Sequence, residues 1–442
     1  MDFIVLGFYS TLEEQLSHTH PLYILSHKIN WEDFETAFAK HYSEEGRPAK
    51  PIRLMVSLII LKHIRNLSDE SIVEQWSENS YYQYFSGEEI FACGAPCEAS
   101  ELVHFRNRIG EKGVELIFKA SIEVNGKDSQ EKEATIDTTV QEKNITYPTD
   151  NKLHRKIIKK CIAIAKKGNI ELRQSYTRVL KKLLMEQRFR NHPKNKGRAK
   201  KADRKVKTIA GRLVRELARK LPPTLHQTTL LLFSRILSQK KSDSNKIYSI
   251  HEPHVQCISK GKEHKKYEFG SKVSITTTKT TGVIIGAINI EKNVHDSKTL
   301  RPAIEQQQRL SGITLKNSFV DRGYRGVKEM MGTKIIIPDT PNKTRTAYQK
   351  RKLRKGFKRR AAIEPKIGHL KQDHRLSRNF YKGIKGDNIN VMLAAAAMNF
   401  KRIINKWKEE ATTFFVYFLN CLQIIVWPEN FYTNYPNGLF KG

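Results

Sequence analysis

The sequence has few cysteines, few acidic side chains for its length, and no apolar run of membrane-spanning length. Five cysteines at irregular spacing in 442 residues exclude a disulfide framework and favour a reducing compartment. The longest apolar stretch, 414–427, has 14 residues and contains Asn420 and Gln423. A transmembrane helix needs about 20 apolar residues. We therefore expect a cytoplasmic protein without a membrane partner.

The shortage of acids leaves the chain strongly basic. Lys and Arg number 79 against 45 Asp and Glu, which gives a formal net charge of +34. Residues 151–250 alone hold 29 basic and 5 acidic side chains, a net +24. Charge of one sign repels itself, and a polyanionic partner relieves that repulsion. The composition predicts binding to DNA or RNA, although a ribosome-associated or merely very soluble protein would share it.

The first region of the chain, 1–128, places its apolar residues at helical spacing. This pattern predicts an all-α domain in which Ser68 caps a helix that begins with two acids. The apolar segment before Ser68 and the segment after it outline two helices in succession. They could form a helix–turn–helix unit that enters a major groove, or a plain helical hairpin.

The second region, 129–409, alternates strand-like and helix-like segments. Basic amphipathic segments at 151–245 interrupt this alternation and predict two to four helices. The pattern is typical of an α/β domain, with a mixed sheet and helices, that carries a basic helical insertion. The remaining residues, 410–442, show no regular pattern and predict an irregular tail.

Three acidic residues lie in settings that metal-dependent phosphodiester chemistry uses. Asp137 lies in the strand-like ATIDTTV, Asp321 follows the apolar SFV, and Glu364 lies near the start of a helical segment. Carboxylates on rigid supports can hold two Mg²⁺ ions about 4 Å apart for phosphoryl transfer. Each acid also has an ordinary explanation: a solvent-facing strand residue, the first residue of a turn, and a first-turn helix acid. Together, in a basic chain, they suggest a site that cuts nucleic acid.

Other acids and histidines are weaker candidates. Asp296 competes with Asp321 for the middle position, but its surroundings, HDSKTL, are typical of a helix N-cap. His251, Glu252 and His254 in IHEPH could bind a metal ion. The proline and the lack of a further ligand nearby favour a loop there.

Four basic residues lie close in sequence to the proposed acids. Near a metal site and a scissile phosphate, such side chains hold phosphate oxygens. Surface cations are common in this chain, so only their positions distinguish them as DNA-binding candidates. They are Arg322, Arg325, Arg360 and Lys371.

These segments together resemble the DDE transposases of bacterial insertion sequences, in the group named after insertion sequence five. The resemblance runs from about Trp31 to Lys406 and rests on several motifs in the same order. The motifs are RPAKPIRLMVSLIILKH, LSDESIVEQWSENSYYQYFSGE, IDTTVQEKNITYPTD, HEPHVQCISKGKEHKKYEFGSKVS, VDRGYRG, AAIEPKIGHLK and GDNINVMLAAAAMNFKR.

The resemblance implies an RNase H-like catalytic core whose metal-binding acids are Asp137, Asp321 and Glu364. In related transposases the last acid lies in a Tyr-x2-Arg-x3-Glu-x6-Lys signature. Arg360 and Lys371 match its basic positions here. The tyrosine position is occupied by phenylalanine, Phe357, which removes one hydroxyl from the signature. The tail at 410–442 has no counterpart in the resemblance.

The implied activity is transposition. The N-terminal helical domain would bind the terminal inverted repeats of the protein's own element, and the catalytic core would cleave the ends and join them to target DNA. Two Mg²⁺ ions, which Mn²⁺ can replace, would serve both steps. Because both ends must be held together, we expect at least a homodimer, associated with the nucleoid. An RNase H-like nuclease without strand transfer and a decayed, DNA-binding copy are the alternatives.

Overall fold

A computed structural model describes residues 10–42, 49–222, 224–259, 265–338 and 346–426. Helices pack on one mixed β-sheet, and a further group of helices forms a separate cluster with its own core. Within these ranges no helix is long and apolar enough to cross a membrane.

The N-terminal region is helical, as its apolar spacing predicts. Its helices are α1 (Leu12–Gln15), α2 (Pro21–Lys28), α3 (Trp31–Phe38), α4 (Ile52–Ile64), α5 (Asp69–Glu78), α6 (Ser80–Phe85) and α7 (Ala99–Val124). Ser68 caps α5, because its hydroxyl accepts a hydrogen bond from the Ser71 N–H at 3.0 Å. The predicted cap is therefore present.

The pair α4 and α5 is a buried helical hairpin. Apolar residues cover the whole circumference of α4, so almost all of that helix is buried. The exposed side of α5 carries Glu70, Glu74 and Glu78, and the helix contains no basic residue. An acidic face repels DNA phosphates. The hairpin interpretation is therefore favoured over a recognition helix in a major groove.

One mixed sheet forms the centre of the rest of the molecule. Its strands are β1 (Glu133–Glu142), β2 (Gln256–Ser259), β3 (Tyr267–Thr278), β4 (Ile284–Ile290), β5 (Asn317–Phe319), β6 (Glu329–Met330) and β7 (Thr333–Ile336). The order is β2-β3-β1-β5-β7-β6, and β4 also pairs with β3. β5 is parallel to both β1 and β7, whereas the other pairs are antiparallel.

The basic insertion forms four helices, as its amphipathic pattern predicts. They are α8 (Asp150–Lys167), α9 (Thr177–Glu186), α10 (Pro193–Lys220) and α11 (Gln227–Ser238). Their apolar faces meet in a core of their own that includes Ile157, Leu213 and Phe233. The basic residues lie mainly on the outer faces, because the apolar stripe of each helix takes the inner face.

The remaining helices flank the sheet. They are α12 (Leu300–Ser311), α13 (Ala347–Arg360), α14 (Ile363–Asp373) and α15 (Gly383–Val426). The prediction of an irregular tail from residue 410 is wrong as far as Val426, because α15 continues to that residue. No proline or glycine interrupts the sequence between Gly386 and Pro428, so nothing local ends the helix earlier. The rest of the predicted tail, 427–442, lies outside the described residues.

The N-terminal helices share one core with the sheet and with α15. Buried Leu58 and Phe118 belong to the same apolar cluster as Ile275 of β3 and Phe400 of α15. The boundary that the sequence suggests at residue 128 therefore separates two kinds of secondary structure but not two cores. Only the basic insertion has a large core distinct from this one in the described part of the chain.

A buried group of charges ties the N-terminal helices to the segment before α15. Asp69 accepts hydrogen bonds from Arg106 at 2.6 and 2.7 Å and from Lys62 at 2.8 Å. The Tyr381 ring lies 4.7 Å from the Arg106 guanidinium carbon and 5.1 Å from Lys62 Nζ. Burial acts to raise the pKa of Asp69, but the hydrogen bonds from Arg106 and the charge of Lys62 lower it to about 2. The buried positive charges of Lys62 and Arg106 are thus both paired with the single carboxylate of Asp69.

Replacing Asp69 by Asn should destabilise the protein, because Lys62 and Arg106 would stay buried without a counter-charge. Removing one partner of a buried ion pair costs about 3–5 kcal/mol. Urea unfolding at pH 7, followed by tryptophan fluorescence, measures the loss. Asp33→Asn changes an exposed aspartate of α3 and should alter the free energy of unfolding by less than about 0.5 kcal/mol.

The pH dependence gives this prediction a second readout. The pKa of Asp69 is about 2 in the folded protein against an ordinary value of 3.8, so its stabilisation is fully present above about pH 4. It is lost as the pH falls toward 2. The difference in stability between wild type and Asp69→Asn should therefore shrink over that window. A difference that stays constant would contradict the assignment.

Candidate active site

Strand pairing brings two of the three predicted acids together. β1 and β5 are parallel neighbours, with Thr135 of β1 opposite Phe319 of β5. Two residues further along each chain, Asp137 and Asp321 reach the same level of the sheet. Adjacent strands lie about 4.8 Å apart. Two carboxylates that are distant in sequence are therefore neighbours in space.

Arg360 lies between these two carboxylates. Its Nη2 is 3.6 Å from Asp137 Oδ2 and 4.0 Å from Asp321 Oδ2. The side chains of Arg360 and Asp137 are 19% and 15% exposed, whereas that of Asp321 is 38% exposed. Since one cation reaches both acids, the acids converge on a common point at the edge of solvent.

Backbone N–H groups orient both carboxylates. Asp137 Oδ1 accepts a hydrogen bond from the Thr138 N–H at 2.7 Å. Asp321 Oδ1 accepts one from the Gly323 N–H at 2.8 Å and caps a 3₁₀ turn over Arg322–Tyr324. The turn that the sequence suggests at Asp321 is present, and it leaves Oδ2 directed at Arg360. Asp321 thus caps the turn with Oδ1 and faces Arg360 with Oδ2.

Asp296 also lies beside this site, which its sequence context does not indicate. The cap of its 3₁₀ turn is His295, so the expectation of an Asp296 N-cap is wrong. Asp296 Oδ1 instead accepts hydrogen bonds from Lys272 at 2.9 Å and from the Thr138 hydroxyl at 3.1 Å. These partners come from two strands, so no local motif could reveal them.

Gly323 separates Asp296 from Asp321. A Cβ atom at Gly323 would lie 3.0 Å from Asp321 Oδ1 and 3.2 Å from Asp296 Oδ2. A larger residue would push against both carboxylates, which explains the glycine in the DRG segment. The neighbouring Tyr324 is buried, and burial, with the charges of Asp296 and Asp137, raises its pKa far above its ordinary range.

Glu364 stands apart from the other acids. It is exposed in the first turn of α14, four residues after Arg360, and α14 packs against β1. Within the described residues, no three His, Cys, Asp or Glu side chains lie close enough to form a metal cluster. The structure therefore joins Asp137 with Asp321, adds Asp296 nearby, and leaves Glu364 on an adjacent helix.

The donor atoms at Asp137 and Asp321 fit Mg²⁺. Carboxylate oxygens are the hard ligands that this ion prefers, and few protein ligands suffice because Mg²⁺ retains waters. The two carboxylates already share one cationic group, Arg360. They could therefore share a metal ion once the guanidinium moves aside.

Of the four predicted phosphate-binding residues, two are exposed and two lie beside carboxylates. Arg322 and Arg325 are exposed on the turn that follows Asp321. Arg360 is held by the acids, and its Nε is buried without a hydrogen-bond partner in the described part of the chain. Lys371 Nζ lies 3.7 Å from Glu268 Oε1.

Phe357 packs where the related signature has tyrosine. Its ring meets Phe319 of β5 edge-on, with ring centroids 5.8 Å apart. This contact anchors α13 on the strand that leads to Asp321. A ring without a hydroxyl suits that apolar contact.

The IHEPH segment is structural. Glu252 Oε2 lies 3.6 Å from Lys143 Nζ, and His254 Nε2 lies 3.1 Å from Asp387 Oδ2. Lys143 also donates a hydrogen bond to Asp387 at 2.5 Å. This buried ion-pair group supports the loop interpretation over a metal site.

Comparisons with known proteins indicate the family of the chain. One family model, a transposase domain (DUF772), matches residues 10–108, and another, a transposase DDE domain, matches 249–400. Asp321 and Glu364 lie within the second match, whereas Asp137 and the basic insertion lie outside both. No solved structure matches the chain.

A curated relative extends the comparison. The chain is 41% identical over 190 residues to an uncharacterized protein, ORF8 in the nfe locus of Rhizobium meliloti. This alignment spans 42% of the present chain and 92% of the relative. The two transposase domains, the mixed sheet with its flanking helices and the aligned relative lead to one conclusion: the chain belongs to the DDE transposases of insertion sequences, and its sheet is their RNase H-like core.

Proposed function

We propose that this transposase binds the terminal inverted repeats of its own element, cleaves DNA at the ends and joins the 3′ ends to target DNA in one pocket. The observation that carries the proposal is the convergence of Asp137 and Asp321 on Arg360, within 4.0 Å of both. The motif pattern supports the insertion sequence five group.

Asp137, Asp321 and Glu364 are the proposed metal ligands. When bound, two Mg²⁺ ions supply Lewis-acid stabilisation of the phosphate oxygens during an in-line displacement. The backbone N–H groups of Thr138 and Gly323 hold the carboxylates in place beforehand. Arg360 offsets their mutual repulsion and can then bind a phosphate oxygen. Cleavage and strand transfer are the same type of displacement, so one set of side chains serves both.

Glu364 is a better third ligand than Asp296. The charge of Asp296 is already offset by Lys272, and the Thr138 hydroxyl also binds the same oxygen. The carboxylate of Glu364 is exposed and forms no ion pair with another described residue. Its helix begins three residues after Arg360, which already contacts the acids.

Different groups of residues would bind different parts of the DNA. Arg322 and Arg325 extend from the turn beside Asp321 and would hold phosphates next to the scissile bond. The insertion, with its outward basic residues, would bind DNA largely without sequence preference. The N-terminal helical region would distinguish the terminal repeats. A homodimer would hold the two ends together.

The triad is tested by Mg²⁺-dependent cleavage of element-end DNA. Asp137→Asn, Asp321→Asn and Glu364→Gln should each lower cleavage and strand transfer by at least about 100-fold, as loss of one preorganised electrostatic group does. DNA binding should persist or tighten, because a negative charge near the phosphates is removed.

Asp296→Asn is the discriminating variant. Its rate of cleavage should stay within about tenfold of wild type, because Asp296 is already paired with Lys272. Thermal melting verifies that the variant is folded. Cleavage that survives Asp321→Asn but not Asp296→Asn would show that Asp296, and not Asp321, is the middle acid of the triad. Cleavage without joined products would favour the nuclease alternative, and binding without cleavage the decayed copy.

The insertion is tested by the salt dependence of DNA affinity. Lys200, Lys201 and Lys205 are exposed on α10. Changing all three to Gln should make the slope of log affinity against log salt less steep by up to about 0.9 for each phosphate that the protein no longer neutralises. The matched control changes exposed Lys132, Lys316 and Lys334, which lie outside both the insertion and the N-terminal helical region, to Gln. Equal slopes in the two triple variants would show that the basic residues of the insertion form an ordinary solvated surface that does not bind DNA.

A further inference from the structure

A cavity lies at the far end of β1, away from Asp137. Its volume is about 420 Å³, and its wall includes Tyr147, Tyr267, Phe269, Lys265 and Arg378. None of these residues belongs to the acid site. The cavity therefore needs its own explanation.

Two aromatic rings in this cavity face solvent. Tyr147 and Tyr267 are 60% and 40% exposed, whereas Phe269 is buried. Tyr147 meets Phe269 edge-on, with centroids 5.3 Å apart, so its position is supported while much of its ring remains open. Exposed rings beside cations are the usual surface on which unpaired bases stack.

A row of lysines leads away from the cavity along α8. Lys152 Nζ donates a hydrogen bond to the Tyr147 carbonyl at 3.0 Å, and Lys156 Nζ donates one to the Thr146 hydroxyl at 3.1 Å. Lys160 follows one turn later on the same face. Burial, and then the charges of Lys152 and Lys160, lower the pKa of Lys156. Like charges at this spacing destabilise a helix unless an anion lies along them.

The cavity lies within reach of the acid site. Asp137 and Glu142, which lines the cavity, are five residues apart on β1, or about 17 Å. One DNA strand could thus contact the acids, the cavity and the α8 lysines in turn.

We propose that this cavity binds an unpaired nucleotide of the DNA strand held at the acid site. Its base stacks on Tyr147 and Tyr267, and the adjoining phosphates follow Lys152, Lys156 and Lys160. A paired base has both faces covered by its neighbours, so only an unpaired base offers a free face. The inference rests on the proposed function, because it takes DNA as the substrate.

The test uses the full-length protein and two DNA probes. One is a blunt duplex, and the other is the same duplex with a short single-stranded extension that contains 2-aminopurine. Wild type should bind the extended probe more tightly and quench its 2-aminopurine fluorescence. Tyr147→Leu and Tyr267→Leu should each reduce the preference for the extended probe by about 5- to 100-fold, the effect of one stacked base.

Two further variants separate stacking from folding. Tyr147→Phe keeps the ring and should keep both the preference and the quenching. Tyr348→Leu changes an exposed ring on α13, outside the cavity, and should also keep them. Thermal melting verifies that each variant is folded. Comparing the two probes within each variant removes effects on general DNA binding.

The possible outcomes separate this inference from the proposed function. Equal affinity of wild type for the two probes would overturn the cavity assignment, as would equal effects of Tyr147→Leu and Tyr348→Leu. If wild type nevertheless cleaves end DNA with Mg²⁺, only the cavity assignment fails. Stacking without cleavage of end DNA would instead support the cavity and count against the proposed function.

Discussion

The parallel pairing of β1 with β5 is the interaction on which the site depends. Its backbone hydrogen bonds set Thr135 opposite Phe319, and the two aspartates follow at one level of the sheet. A slip of one residue would turn Asp137 to the opposite face of the sheet. Arg360 can reach both carboxylates only because this register holds Asp137 and Asp321 side by side.

The end of β1 is held by a second constraint, the buried charges around Lys143. Lys143 pairs with Asp387 and lies near Glu252, so the strand, the segment returning from the insertion and α15 meet at one point. Buried charges are costly unless paired, and removing one partner would leave the others uncompensated. The insertion therefore leaves and re-enters the core through fixed stems. That arrangement keeps α8 and Tyr147 beside the sheet.

The distribution of charge surrounds a group of three aspartates with cations in a strongly basic protein. Three aspartates near one turn would repel both one another and DNA. Lys272 and Arg360 offset part of this charge from within the fold, and Arg322 and Arg325 surround it with exposed cations. In the proposed function, phosphates approach through these cations and the carboxylates hold the metal ions.

The sequence alone determined the features that depend on neighbours along the chain. The Ser68 cap, the turn at Asp321 and the amphipathic helices of the insertion follow from short-range periodicity and hydrogen bonding, and they were predictable for that reason. Tertiary structure alone decided the ion pair of Asp296 with Lys272, the place of Arg360 and the core shared by the N-terminal helices and α15. These depend on contacts between residues tens to hundreds of positions apart. A side chain's local pattern sets which element it joins, but the packing of distant elements sets which charge it meets.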